Sequence, residues 1–133
     1  GLLSYLINCN IMQKKYKIFG YKGKQVRDNI HSFDLVNAIW EFYKKPRKGE
    51  IYNLGGGRQN SCSIIEAIKE IEKISKIKLI YTYKSKNRTG DHKWYITDNS
   101  KFKKHYKGWK LKYNIKNIFK EMIKVEIDKK NDN

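Results

Sequence analysis

Several things are scarce in this sequence, and each shortage excludes something. A single proline, Pro46, stands among 133 residues, and no stretch reads as an interdomain linker or an internal repeat. There are two cysteines, Cys9 and Cys62, far apart and with no second pair near either. They support neither a disulfide framework nor a zinc site, and they fit a reducing cytoplasm. No apolar run approaches the roughly 18 to 20 residues that a membrane span needs. The opening Gly1-Leu2-Leu3-Ser4-Tyr5 lacks the basic region and small-residue cleavage site of a secretory signal. The expected location is therefore cytoplasmic, and the sequon Asn87-Arg88-Thr89 carries no weight without secretion. The chain does not open on Met, so we expect it to start inside a longer reading frame.

Acidic residues are scarce as well, at 13 against 30 Lys and Arg, which leaves a net charge of +17. That balance permits non-specific attraction to polyanions. Yet only Arg27, Arg47, Arg58 and Arg88 are arginines, and the chain is rich in Ile, Asn and Tyr, a mixture that AT-rich codons produce. Most of the lysine charge is therefore expected to be solvated surface. Hydrophobic residues reach 39% and aromatics 14%, enough to build a core. The length suits one domain or one lobe of a larger enzyme.

Periodicity predicts a mixed α/β chain. Residues 2–13 place Leu2, Leu3, Leu6, Ile7 and Ile11 near one helical stripe. Tyr16 to Phe19 alternates like a strand and ends at Gly20, and Gln25 to His31 reads as a second extended segment. Ser32 or Asp34 is expected to cap a helix over 34–44 that Pro46 stops. Ile51-Tyr52-Asn53-Leu54 is expected to form a short strand running into Gly55-Gly56-Gly57. Ser63-Ile64-Ile65-Glu66 is a capping box opening a helix to about Ser75. Lys78 to Tyr83 is a further strand, 84–91 a polar loop and Trp94 to Thr97 extended. Asp98 should cap a short helix, and Asn114 a last helix to about Val125. We expect one compact unit over 1–127 and a frayed polar tail over 128–133. Helix 34–44 followed by strand 51–54 looks like the closing unit of a parallel sheet, yet the chain offers few parallel neighbours for it.

Candidate chemistry narrows quickly. The turn Gly55-Gly56-Gly57 has the strand, glycine and helix order of a phosphate-cradling loop. A dinucleotide fingerprint, however, would need glycine where Asn60 stands and an acid where the next strand ends in Tyr83-Lys84. A turn that lets backbone approach another segment or a ligand is the better reading. His31, His92 and His105 have no metal-ligand spacing, and Ser61 and Ser63 lack a nucleophile-elbow context. Lys14 to Lys24 interleaves aromatics with cations, a pattern that can stack a base and neutralise phosphates, or simply form a basic ribbon. Arg27 and Arg88 stand out because Arg is so rare here. A planar guanidinium can grip a diphosphate through two oxygens at once, which Lys cannot reproduce.

The string Ile18-Phe19-Gly20-Tyr21-Lys22-Gly23-Lys24-Gln25-Val26-Arg27-Asp28 resembles the C-terminal half of the NAD-dependent nucleotide-sugar epimerase/dehydratase family, the extended short-chain dehydrogenases. Further markers follow in the family's order: Tyr52-Asn53-Leu54-Gly55-Gly56, Arg88-Thr89-Gly90-Asp91, Asp98-Asn99-Ser100-Lys101 and Gly108-Trp109. The resemblance covers residues 1–123, and the form of the first string is most like the CDP-paratose 2-epimerase (CDP-tyvelose epimerase) branch. It implies an α/β fold consisting of the C-terminal substrate-binding lobe plus the last helix–strand unit of a Rossmann-type fold, without the dinucleotide-binding part. It also implies roles. Arg27 and Arg88 would clamp the two phosphates of a nucleotide-diphosphate sugar, with a CDP-sugar the first choice. Ile18, Phe19 and Gly20 would line the base pocket, Gln25 would make a polar contact, and Asp91 would touch a ribose hydroxyl or hold Arg88.

The family binds NAD through an N-terminal glycine turn and does acid–base chemistry with a Tyr-x-x-x-Lys pair, and neither is present here in its proper context. NAD is therefore expected for a full-length parent and not for this chain, which should not catalyse alone. The expected partners are the nucleotide-diphosphate sugar, the absent N-terminal part, and a second copy through apolar faces left exposed. Membrane and specific nucleic acid are not expected. The competing expectation is a small basic module that binds nucleotides or single-stranded nucleic acid. A third is a ligand-free remnant.

Overall fold

The computed structural model describes residues 1–132 and is an α/β chain. It divides into two compact units: one made from Gly1–Val26, Cys62–Trp94 and the chain from Lys116 onward, the other from Arg27–Ser61 and Tyr95–Ile115.

In the first unit, helix α1 (Leu2–Ile11) buries Leu3, Leu6, Ile7, Cys9 and Ile11 and packs on helix α3 (Ile64–Ser75). The α3 stripe is tighter than the sequence suggested: Ile64, Ala67, Ile68 and Ile71 are buried, whereas Ile74 is half-buried. The expected capping box is formed, with the Ser63 hydroxyl accepting from the Glu66 amide at 3.2 Å and the Glu66 carboxylate accepting from the Ser63 amide at 2.7 Å. Strand β1 (Tyr16–Phe19) lies parallel to β4 (Tyr81–Lys84), with Tyr16 opposite Tyr81 and Phe19 opposite Lys84. Helix α5 (Ile115–Asn131) adds Ile118, Phe119 and Ile123 to the buried residues. It runs well past Val125 and takes in much of the polar tail. The Lys130 ammonium donates to the Ile11 carbonyl at 3.1 Å, so this stretch is anchored to α1.

The second unit is built on helices α2 (Ser32–Lys44) and α4 (Ser100–His105). Ala38, Phe102, Tyr106 and Trp109 form its core, with Ile30, Phe42, Tyr52, Leu54 and Leu111 against it. Phe102 stacks on Tyr106 and meets Trp109 edge-on. Asp34 is fully buried in this unit, and its two carboxylate oxygens accept from the amides of Lys112 and Tyr113 at 2.9 and 3.0 Å. Asp34 is therefore not the α2 cap. His31 is, its ring Nδ1 accepting from the Phe33 amide at 3.0 Å. The N-cap of α4 is Asn99 rather than the expected Asp98, which sits one residue earlier with its carboxylate accepting from the Ser100 amide at 2.8 Å.

The expected strand over 51–54 does not form. Its residues have strand-like composition, but a strand exists only when its amides find a ladder, and no partner strand reaches this segment. Ile51 is accordingly 81% exposed. A three-stranded sheet is made instead by β2 (Val26–Asp28), β3 (Ser61–Ser63) and β5 (Trp94–Tyr95), in the order β3–β2–β5.

Candidate nucleotide-binding site

The chain leaves β1 through Gly20, whose φ of +61° and ψ of 179° put it where an L side chain is strained. A Cβ there would also strike the Asn87 side chain, so the loop after β4 lies directly on the end of β1. This close approach brings Arg88 over Phe19, its guanidinium carbon 4.6 Å from the ring centroid. The two residues border an open cavity of about 470 Å³ that Lys84, Lys86, Asn87 and Thr89 complete. An aromatic ring, a planar cation and two lysines thus surround one concave surface. That combination can hold a flat base beside an anionic group, because stacking and charge neutralisation are supplied within a few ångströms of each other.

Six of the seven residues expected at a nucleotide site fall in this unit. Phe19 and Arg88 line the cavity, and Gly20 sets the approach of its wall. Ile18, expected to line the base pocket, is instead buried in the core opposite Tyr83 across β1 and β4 and is not part of the cavity wall. Gln25 is 7% exposed; its amide nitrogen donates to the Phe19 carbonyl at 3.1 Å, and its amide oxygen has no partner. The Asp91 backbone closes the polar loop, its amide donating to the Arg88 carbonyl at 3.1 Å and its carbonyl accepting from the Tyr21 hydroxyl at 3.2 Å. Asn87, Lys84 and Lys86 were not singled out in the sequence. Nothing marked them among 26 lysines and an asparagine-rich composition.

The seventh, Arg27, lies on β2 and belongs to the second unit. Its neighbour Asp28 organises the glycine turn there. One Asp28 carboxylate oxygen accepts from both the Gly57 amide at 2.9 Å and the Thr97 amide at 3.0 Å. Asn99 pairs with Gly55 in both directions, accepting from its amide at 3.1 Å and donating to its carbonyl at 2.9 Å. A Cβ on Gly55 would strike Thr97 and Asp28, and one on Gly56 would strike the Asn29 carbonyl. Of the two readings open for this turn, the structure therefore supports approach to the chain's own segments. Its Gly55 and Gly57 amides are already spent on protein acceptors, so the turn does not fit a dinucleotide pyrophosphate, which needs such amides free.

Cys62, beside the Glu66 cap, is no candidate nucleophile: burial first, and the Glu66 carboxylate second, push its thiol up to about 11. Tyr16 is likewise held above its ordinary value, chiefly by burial.

Residues 1–55 match the NAD dependent epimerase/dehydratase family. Over 94 residues the chain is 31% identical to CDP-paratose 2-epimerase of Salmonella typhi, covering 69% of this chain and 27% of that enzyme. Over 108 residues it is 33% identical to UDP-glucose 4-epimerase 1 of Oryza sativa subsp. japonica, covering 75% of this chain and 29% of that one. The structure superimposes on UDP-glucose 4-epimerase from Bifidobacterium longum, in complex with NAD⁺ and UDP, with a TM-score of 0.80 and 27% identity. That match covers all of this chain and 40% of the other. These matches support the NAD-dependent epimerase/dehydratase superfamily. The α/β fold matches epimerase/dehydratase structures along its whole length, and the chain spans less than a third of the length of those two curated relatives. Among the described residues, no helix is long and apolar enough to cross a membrane.

Proposed function

We propose that this chain is the substrate-binding portion of an NAD-dependent nucleotide-sugar epimerase and that the cavity beside Phe19 holds the nucleotide. The observation that carries this reading is the Arg88 guanidinium over the Phe19 ring at the border of a lysine-walled cavity. Phe19 would offer its ring to the base while Arg88 takes a diphosphate oxygen pair, with Asp91 and Gln25 as polar contacts; Arg27 is a phosphate ligand on the family resemblance alone and is given no place in this cavity. A CDP-sugar is our first choice of substrate, supported by the Gly20 to Asp28 string and the CDP-paratose 2-epimerase similarity. NAD would supply transient oxidation and re-reduction of the sugar in a full-length parent. The Gly55–Gly57 turn does not fit its pyrophosphate, and no redox step is assigned to this chain. On this reading the exposed apolar residues of α2 would cover the dinucleotide-binding part, or a second copy in its absence.

Calorimetric titration with CDP, UDP and dTDP tests the reading. Saturable binding of one diphosphate, lost in Arg88→Ala and weakened in Arg27→Ala, is the expected result. Preference for a single-stranded oligonucleotide, falling steeply with salt and indifferent to Arg88→Lys, would instead favour the basic binding module.

A further inference from the structure

A second basic site lies in the second unit and shares no lining residue with the Phe19 cavity. Helix α2 ends at Lys44 because Lys45 precedes Pro46, which drives it out of helical conformation (φ −140°, ψ 71°). Helix α4 ends at His105, and the Tyr106 hydroxyl donates to the Lys45 carbonyl at 2.8 Å, which fixes one helix end against the other. His105 is held in turn by a 2.8 Å hydrogen bond between its Nδ1 and the Tyr52 hydroxyl. Between the two ends is a cavity of about 470 Å³ whose wall carries Lys44, Lys45, Arg47, Lys104 and Lys107 against a single carboxylate, Glu41. That carboxylate is occupied, 2.8 Å from the Lys44 ammonium. Among the described residues, no carboxylate forms an ion pair with Lys45, Arg47, Lys104 or Lys107; the nearby Glu50, which feels the Arg47 charge, is paired with Lys101 at 2.7 Å.

Helix C-termini favour cations, and that accounts for Lys44 in α2 and Lys104 in α4. It does not account for Arg47 and Lys107, which lie beyond both helices yet border the same cavity. Nor does lysine abundance account for an arginine, one of only four in the chain. The helix ends oppose any anion in proportion to its charge, so attraction has to come from the side chains of this wall, where the cations outnumber the one carboxylate.

We propose that this cavity binds a compact polyphosphate, a run of two or three linked phosphates, either free or as the tail of a nucleotide. Arg47 would grip it through paired oxygens and Lys45, Lys104 and Lys107 would neutralise the remainder.

The test is titration of the full chain with sodium tripolyphosphate at moderate salt, repeated on Arg47→Gln/Lys107→Gln and on a charge-matched control, Lys120→Gln/Lys124→Gln on exposed α5 positions. Binding that weakens at least about tenfold in the first variant and less than about twofold in the control is the expected result. Thermal melts should be alike for all three proteins, because every substituted side chain is exposed. Equal loss in both variants would show diffuse charge and overturn the proposal, as would absent binding or an unchanged affinity in Arg47→Gln/Lys107→Gln. A nucleoside triphosphate arm separates the sources: affinity equal to that of tripolyphosphate means the phosphates alone are read, and tighter binding means a nucleotide tail. An oligothymidylate that binds more tightly than either, with the same variant sensitivity, would overturn the compact-ligand proposal in favour of a nucleic-acid surface. Arg88→Ala should leave tripolyphosphate binding intact, which keeps this site's outcome separate from that of the Phe19 cavity.

Discussion

Single residues carry disproportionate weight where polar groups are buried. Asp34 has no exposed surface and satisfies two backbone amides, those of Lys112 and Tyr113, while its carbonyl accepts from the Trp109 indole at 3.0 Å. Asp34→Ala should therefore leave both amides unpaired and lower stability by about 3 kcal/mol, read as an earlier urea midpoint with an unchanged slope. In the sequence Asp34 looked like a helix cap, because its partners lie far downstream and no local pattern joins them. Arg88 is the opposite case. Its rarity and glycine-bounded loop made it visible in the sequence, whereas Phe19 was singled out only by the resemblance of the string around it. Arg88→Lys should keep the charge but lose the planar fork, and nucleoside diphosphate affinity should drop about tenfold in the same titration that tests the function. The chain's own use of Asn87, packed on Gly20, could not be read from residue types, since only the positive φ at Gly20 and the loop's return make that contact.

Elements were legible wherever their signals were local. The α3 capping box is the clearest: Ser63 and Glu66 stand three apart and satisfy each other's backbone amides. Ser63→Ala should lower the melting transition by an amount equivalent to about 1 kcal/mol. The bond from the Ser63 amide, and then the Ser63 hydroxyl, holds the Glu66 carboxyl below its ordinary value of 4.5. A carboxyl lowered in the folded state stabilises above its ordinary value and loses that contribution as pH falls through the folded value. Melting temperatures followed between about pH 6 and 3 should therefore fall less steeply in Glu66→Gln than in the parent. Strand 51–54 shows the limit of local reading. Its composition was right, but pairing is a non-local condition, and among the described residues only β1 with β4 and the three short strands β3–β2–β5 meet it. The glycine turn was legible as a close approach, while the segments it approaches, Asp28, Asn29 and Thr97, were not.

At the scale of the whole molecule, the outer side of α2 is the feature out of keeping with a water-soluble surface. Val36, Ile39, Trp40 and Tyr43 are all more than half exposed, and Trp40 stacks on Tyr43 with centroids 5.4 Å apart. A patch of that kind marks a surface that another body covers. We expect the isolated chain to self-associate in sedimentation velocity runs, and Trp40→Glu/Tyr43→Glu to sediment as a monomer with a stability change within about 0.5 kcal/mol. The helical period that places these residues together was plain in the sequence; their exposure follows from what surrounds α2, which no period encodes. The parallel pairing of β1 with β4 bears on time as well as on shape. Tyr16 cannot meet Tyr81 until the chain between them has folded back on itself, so this pairing closes a long loop. Loop closure costs chain entropy before any ladder bond repays it, and β1–β4 pairing should therefore trail the local formation of α2 and α3 in stopped-flow refolding.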